Sequence, residues 1–541
     1  MYKVIATNPF EGQKPGTSGL RKKVKQFMEA NYLENFVQSI FNSLENIEGS
    51  TIVVGGDGRY YNDVAIQKII KIASANGVKK LIIGQNGILS TPAASNLIRK
   101  YKTSGGIILS ASHNPAGINE DFGIKFNGEN GGPASDKVNA KIYSNTLNLT
   151  EYKISEIEDV NLSKMGVGTV ENMTVEIIDP VADYLELMEE LFDFAAIEKM
   201  FKDGFTVKFD AMHAVTGPYA VEILENRLGA EKGSVINEIP LDDFGGGHPD
   251  PNLIYAKSLV KYMASDDAAD LGAASDGDGD RNMILGENFF VTPNDSLAVI
   301  LEHADLIPAY KGKVTGVARS LPTSTAVDKV AVDKGIKSYE TPTGWKYFGN
   351  LMDSDLITFC GEESFGTGSN HVREKDGLWA VLCWLNILAK TGKSVEEITK
   401  EFWNKYGRSY YLRYDYEGID SVAADDLFSS LELSLPSIIG KKFDEYEISS
   451  AEAFFYKDPV DGSETKNGLT VKFTNGSRIV YRLSGTGTSG ATLRVYIEKY
   501  ANQDENLYAD AKKELLELNE IAEALADIEE KTGKYQADLI T

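Results

Sequence analysis

The feature that most constrains this chain is a rhythm. Short apolar runs ending in glycine, hydroxyl or acidic residues alternate with segments of helical spacing, and the pattern recurs three times. In the first copy, TIVVGGDGR (51–59) reads as a buried strand running into a Gly-rich turn. DVAIQKIIKIASANG (63–77) has helical spacing and stops at Gly77, and KKLIIG (79–84) reads as a second strand. Thr91-Pro92 reads as an N-cap and first-turn pair opening another helix, and GGIILSAS (105–112) as a third strand. The second copy begins at FTVKFDAMHAVTG (205–217), continues as a helix over PYAVEILENRLG and returns as a strand at DLGAASDGDGD. The third runs from KVTGVARS (313–320) through helix STAVDKVAVDKG, strand KSYETP, helix GWKYFGNLM and strand LITFCGEES. Strands alternating with helices predict parallel sheets in α/β domains.

The last segment breaks the rhythm. GLTVKFTNGSRIVYRLSG (468–485) alternates polar and apolar residues around Asn475-Gly476, which predicts a β-hairpin. ATLRVYIEKY reads as another strand, and a charged helix is expected to close the chain. At roughly 150 residues per domain, a chain of 541 residues suits three or four domains. The expected fold class is therefore α/β: three similar α/β domains with mixed, largely parallel sheets (1–183, 184–295, 296–402) and a C-terminal α+β domain (403–541). Ligands of such sheets sit at the carboxyl ends of the strands, where every unusual motif here falls, so one central cleft is expected.

Charge excludes some functions. With 55 Lys+Arg against 80 Asp+Glu, a nucleic-acid partner is not expected, and an anionic substrate requires basic groups gathered in one cleft. Two cysteines, Cys360 and Cys383, exclude a disulfide framework and a cysteine zinc site. The N-terminal segment lacks the apolar core of a signal peptide. Gly377–Ala389 (GLWAVLCWLNILA) is too short to span a bilayer and reads as a buried helix, so no membrane role is expected and the setting is a reducing cytoplasm.

Four motifs carry chemistry. Asp276, Asp278 and Asp280 alternate with glycine ahead of Arg281; an extended segment would point all three carboxylates one way, a hard oxygen site for Mg²⁺ or Mn²⁺. An EF-hand starting at Asp276 fails, because its sixth position is Arg281 and strand-like segments flank it. Arg482, Ser484, Thr486, Gly487, Thr488 and Ser489, with Arg494 on the next strand, form a Gly- and hydroxyl-rich turn between two arginines, suited to phosphate. Glu362 and Ser364 in GEESFG, followed by Lys375, suit sugar hydroxyls, and Thr343-Gly344 adds contacts. Thr17 and Arg21 in PGTSGLRK, Lys125 in GIKFN and His113 are weaker signals by themselves.

The stretch GGIILSASHNPAG (105–117) offers two hydroxyls, Ser110 and Ser112. A hydrolase triad needs a base set against the nucleophile; Ser112 and His113 are sequence neighbours, which point apart on a strand, and the G-x-S-x-G elbow is absent. A capping or structural serine is one alternative. The other is a serine that carries a phosphoryl group beside a cation and basic side chains.

Together these motifs resemble the α-D-phosphohexomutases, most closely their glucose-selective branch. The family's Thr-Ala-Ser-His-Asn-Pro motif is matched by Ser110-Ala111-Ser112-His113-Asn114-Pro115, with serine for the threonine. The resemblance implies that Ser112 is the phosphoserine and, with Asp276, Asp278 and Asp280, holds one Mg²⁺. It implies phosphate contacts at Arg281, Arg482, Ser484, Thr486, Gly487 and Arg494, and sugar contacts at Glu362 and Ser364. The implied reaction interconverts α-D-glucose 1-phosphate and glucose 6-phosphate through glucose 1,6-bisphosphate. A general acid/base is needed; Lys125, Lys375 and His113 are candidates, and a lysine in that role would need a depressed pKa. Small-molecule sugar phosphates are the expected partners, with the protein a monomer or weak dimer. Broader use of mannose phosphates, or a catalytically inactive relative, are the competing readings.

Overall fold

The apolar run Thr51–Gly56 forms a strand buried along nearly its whole length, as a strand covered on both faces must be. The computed structural model describes residues 2–487 and 490–541, with the side chains of 485–487 outside the description. Contacts divide the chain into two units, Met1–Pro293 with His303–Val314 and Gly344–Glu396, and Asn294–Glu302 with Thr315–Thr343 and Glu397–Thr541.

In the first unit, Thr51–Gly56 is central to a seven-stranded sheet. It pairs in parallel with Lys80–Ile88 and with Gly106–Leu109, and Gly106–Leu109 pairs antiparallel with Asp121–Asn127. The sheet is thus mixed. The helix Asn62–Ala75 buries Ile66, Ile69, Ile70 and Ala73 on one face; each isoleucine contributes about 2 kcal/mol by burial. The next helix, Thr91–Lys100, corrects one expectation. Its cap is Ser90, whose extended backbone lets its hydroxyl accept the N–H of Ala93, so Thr91 is the first helical residue and its hydroxyl is available for another partner. The run GGIILSAS is a strand only over Gly106–Leu109.

The second sheet repeats the theme. Val207–Asp210 pairs in parallel with Leu271–Ser275, which turns back antiparallel into Asn282–Gly286. The predicted helix over PYAVEILENRLG is Thr216–Ala220 continued by a wider π turn over Val221–Arg227. Further on in this unit, Phe359–Glu362 and Gly366–Ser369 form a hairpin. The helix Gly377–Thr391 is buried as expected, with Trp379 and Trp384 fully enclosed. Among the described residues no helix is long and apolar enough to cross a membrane.

In the second unit, Gly316–Ser320 and Lys337–Thr341 pair in parallel. The C-terminal part is a seven-stranded sheet whose core is antiparallel. Its hairpin turns at Asn475-Gly476, where Gly476 takes the positive φ of 87° that the turn requires. The chain does not close in one charged helix. Three short helices end in the strand Leu539–Ile540, which pairs with Tyr414 and Asp415; a left-handed Asp527 breaks the helical run.

Candidate active site

The stretch beyond Gly106–Leu109 is a turn held by three side chains. Ser110 Oγ accepts the N–H of Ser112 at 2.7 Å, and Ser112 takes a left-handed backbone with φ 53°. The Ser110 hydroxyl also bonds Asp57. Arg59 closes the ring: its Nε donates to both Asp57 oxygens (3.0 and 2.9 Å), its Nη2 to the Ser112 carbonyl (2.8 Å) and its Nη1 to the Asp121 carbonyl (2.9 Å). Burial pushes the Asp57 carboxyl up, with Arg59 and Ser110 opposing it. Neither Asp57 nor Arg59 stood out in GGDGR; the only signal was a carboxylate and a guanidinium at the carboxyl end of a buried strand.

This turn overturns the argument that Ser112 and His113 point apart. Ser112 Oγ lies 3.3 Å from His113 Nδ1, because the residues sit on a turn instead of a strand. Among the described residues the His113 ring neighbours His248, with centroids 6.2 Å apart, and bonds no carboxylate that would complete a triad. Burial, then Arg281 and Arg21, push His113 well below the usual histidine range.

Ser112 Oγ donates to Asp276 Oδ2 at 3.0 Å, which joins the serine to the acidic loop. That loop links two antiparallel strands, which disposes of the EF-hand alternative. Nor is it extended. Asp276 Oδ1 accepts the N–H groups of Asp280 (2.9 Å) and Arg281 (3.0 Å), and this turn folds the three carboxylates inward. Each offers one oxygen, all within 4.8 Å of one another. A Cβ on Gly277 would stand 2.3 Å from the Ser112 carbonyl, so only glycine lets the two loops approach this closely. Among the described residues the buried Oδ1 atoms of Asp278 and Asp280 have no hydrogen-bond partner. Three buried carboxylates, two of them with an unsatisfied oxygen, and a hydroxyl fit a hard divalent cation.

Electrostatics agree. Burial and the other two carboxylates push Asp276 well above the usual range, and burial with Asp278 pushes Asp280 up. Burial also acts on Asp278, but Lys125, the Thr91 hydroxyl (2.5 Å) and Arg21 outweigh it and hold this carboxyl well below the usual range. Thr91 is thus a site residue that sequence reasoning took for a cap.

The basic groups gather around this centre. Lys125 Nζ lies 3.6 Å from Asp278 and 3.5 Å from Glu374, which Asn127 also holds at 2.8 Å. Lys375 Nζ is 3.6 Å from both Asp280 and Glu362. Neither lysine is depressed: burial lowers each, but these carboxylates outweigh it and raise both. Arg281 donates to Asp250 at 3.1 Å and its charge is reinforced, while burial lowers Arg21, whose buried Nε has no hydrogen-bond partner among the described residues.

Glu362 ends its strand and accepts the Gly344 N–H at 3.3 Å. Ser364 sits half-buried in the following turn. Thr17 is exposed in a turn closed by Gly16 and Gly19, and its methyl group would be 3.9 Å from a Cβ on Gly344. These residues all belong to the first unit with Ser112.

Thr343 and the Arg482–Arg494 loop belong to the second unit. Among the described residues the buried Thr343 hydroxyl has no hydrogen-bond partner. Arg482 and Arg494 stand directly opposite each other on paired strands, beside the Ser484–Thr492 pair. Like charges in that register repel unless an anion bridges them. Arg482 donates to the Tyr496 hydroxyl at 3.2 Å, and Arg494 Nε is 3.7 Å from Asp415. Thr486 and Gly487 end the strand, with side chains outside the described part; Thr488 and Ser489 lie outside the described residues.

Family models cover most of the chain. The α/β/α domains I, II and III of phosphoglucomutase/phosphomannomutase match residues 12–153, 182–288 and 292–406, and the C-terminal domain of phosphoglucomutase-1 matches 408–538. The chain is 56% identical to a phosphoglucomutase of Rhizobium radiobacter over 542 residues, covering 100% of both. It is 53% identical to the chloroplastic phosphoglucomutase 1 of Marchantia polymorpha over 551 residues, 99% of this chain and 84% of that one. The crystal structure of the open form of pp63/parafusin, a phosphoglucomutase from Paramecium, superposes with a TM-score of 0.94 at 47% identity, covering 100% of this chain and 99% of that one. The chain belongs to the phosphoglucomutase/phosphomannomutase family.

Proposed function

We propose that this protein is a phosphoglucomutase, interconverting α-D-glucose 1-phosphate and glucose 6-phosphate with Ser112 as phosphoryl carrier. The observation that carries the reading is the contact of Ser112 Oγ with Asp276 at 3.0 Å, in a loop whose three carboxylates converge. Asp276, Asp278, Asp280 and Ser112 would hold Mg²⁺, which supplies charge neutralisation for the transferring phosphoryl group.

The remaining work belongs to the chain's own residues. The P–O bond at phospho-Ser112 breaks as the sugar hydroxyl, O6 of glucose 1-phosphate, forms the new one and releases its proton. The product of this half is glucose 1,6-bisphosphate. After it turns over in the site, its other phosphoryl group returns to Ser112 Oγ, which leaves glucose 6-phosphate. Asp57, Ser110 and Arg59 hold the serine turn through both halves. Arg21 and Arg281 contribute positive charge beside it. Of the three proton-transfer candidates, His113 is held neutral, whereas Lys125 and Lys375 are held charged by the carboxylates beside them. Glu362 and Ser364, with Thr17, Thr343 and Gly344, read the sugar hydroxyls in either orientation. Arg482, Ser484, Thr486, Gly487 and Arg494 take the phosphate that does not react.

The same proposal includes a division into domains at residues 183, 295 and 402, which the spans of the family models support. It includes a reducing cytoplasmic setting, supported by two buried free thiols, and a monomer or weak dimer. The test is a coupled assay on glucose 1-phosphate with Mg²⁺ and a trace of glucose 1,6-bisphosphate, with mannose 1-phosphate compared. Turnover that is lost in Ser112→Ala supports the reading. Full activity in Ser112→Ala overturns it.

A further inference from the structure

One segment outside the motifs touches the serine turn and the acidic loop at once. The chain from Leu241 to Gly247 folds over Arg59, and its only bulky buried side chain is Phe244. Phe244 is 2% exposed and takes a left-handed backbone, φ 53°, followed by Gly245 and Gly246 at φ 66° and 73°. Glycine enters that region freely, but a bulky aromatic residue does so only where its surroundings hold it there. The surroundings are specific. The guanidinium of Arg59 lies over the Phe244 ring, 5.3 Å from its centroid. The ring packs with Ala116, four residues beyond Ser112, and with Ala214. A Cβ built on Gly277 would be 3.4 Å from Phe244 Cζ. The segment is tied down by the Tyr60 N–H donating to the Asp242 carbonyl at 2.7 Å, and by Asp243, whose side chain accepts the Gly245 N–H.

We propose that Phe244 is a positioning residue for phosphoryl transfer: its ring face fixes the guanidinium of Arg59, and through it the Ser112 carbonyl, against Gly277 of the acidic loop. The proposal rests on the mutase reading. Phe244 touches neither substrate nor a carboxylate of the loop; it acts through Arg59 and Gly277. The aromatic face matters because it attracts the cation electrostatically, whereas leucine would fill the space without that attraction. Polar anchoring of Arg59 by Asp57 sets where the guanidinium begins, and Phe244 sets how far it can swing.

The experiment compares wild type and Phe244→Leu. It measures kcat and KM on glucose 1-phosphate, Mn²⁺ affinity by electron paramagnetic resonance, and Tm. Phe244→Leu is expected to lower kcat about tenfold with KM little changed, and to weaken Mn²⁺ binding. Unchanged kcat and Mn²⁺ affinity in a folded Phe244→Leu would overturn the proposal, as would a rise in KM with kcat unchanged. A wild type that binds Mn²⁺ but turns over no sugar phosphate would overturn the mutase reading instead, and Mn²⁺ affinity alone would then decide the role of Phe244.

Discussion

Asp276 accepts the hydroxyl of Ser112 at 3.0 Å across 164 residues of sequence. The bond fixes which of two neighbouring serines meets the acidic loop. Ser112→Ala is expected to lower turnover by roughly 10⁴-fold or more, because the group that carries the phosphoryl is gone. Incubation with bisphosphate carrying a labelled phosphoryl group, followed by intact mass, checks it: label should appear on wild type and not on Ser112→Ala.

Ser110 is a structural partner of that serine and not a bystander. Its hydroxyl takes the Ser112 N–H at 2.7 Å and bonds Asp57, so removing it releases the turn. Ser110→Ala is expected to cost about 1 kcal/mol of stability and to lower kcat about tenfold, with label still transferred to Ser112. Ser110→Thr keeps the hydroxyl and should retain activity. Steady-state kinetics and thermal melting of the two variants separate these outcomes.

How much of this was legible in the sequence depends on distance along the chain. The strand–helix alternation was readable because apolar spacing is local, and the three aspartates because they fall within five residues. Arg59 and Phe244 were not: each reaches Ser112 or its clamp only through the fold, over 53 residues in the first case. Thr91 was misread because a hydroxyl before proline signals a cap, and only the backbone shows that Ser90 has taken that role. The geometry of Ser112 and His113 was misread for a related reason. A run of apolar residues was extended as a strand past Leu109, where the hydrogen bond from the Ser112 N–H to the Ser110 side chain had already turned the chain.

Metal removal should show in stability as well as in rate. Asp276 and Asp280 are held above the usual carboxylate range by burial and mutual repulsion. A carboxyl with a raised folded pKa favours the fold below its ordinary value near 4 and loses that contribution as pH rises through the folded value. Without a cation Asp276 and Asp280 therefore oppose folding at neutral pH. Chelation is expected to abolish turnover reversibly. Added Mg²⁺ should raise Tm more at about pH 8 than at about pH 5, where protons compete for the same oxygens. Equal shifts at the two pH values would count against a carboxylate site.

The Arg482–Arg494 pair makes an opposite prediction for rate and stability. The two arginines are direct partners in the ladder, so neutralising one relieves repulsion in the free protein. Arg494→Gln is expected to leave Tm unchanged or slightly raised. The same change should raise KM for glucose 1-phosphate about tenfold or more, as one charge-assisted contact to phosphate is lost. A fall in Tm with KM unchanged would assign the pair to structure alone.

Acid stability should depend on Glu498. This side chain is buried in the second unit and accepts from Thr325 N (2.9 Å), Thr325 Oγ1 (2.8 Å), Ser409 Oγ (2.8 Å) and Arg478 Nε (2.6 Å). Burial alone would raise its pKa, but Arg478 and these donors outweigh burial and hold it down at about 2. The sign follows: with the folded pKa depressed, the contribution is full above the ordinary carboxylate value near 4.3 and is lost as pH falls towards 2. The shift corresponds to about 3 kcal/mol at neutral pH. Glu498→Gln removes that dependence and leaves the buried Arg478 only the more distant Glu340, at 3.5 Å, as counter-ion, a loss of about 3 kcal/mol. Denaturant unfolding followed from about pH 7 to about pH 2 should therefore give a steep decline below pH 4.3 in wild type. The variant should start lower and decline less steeply over the same range; parallel curves would mean that Glu498 is not the group that titrates.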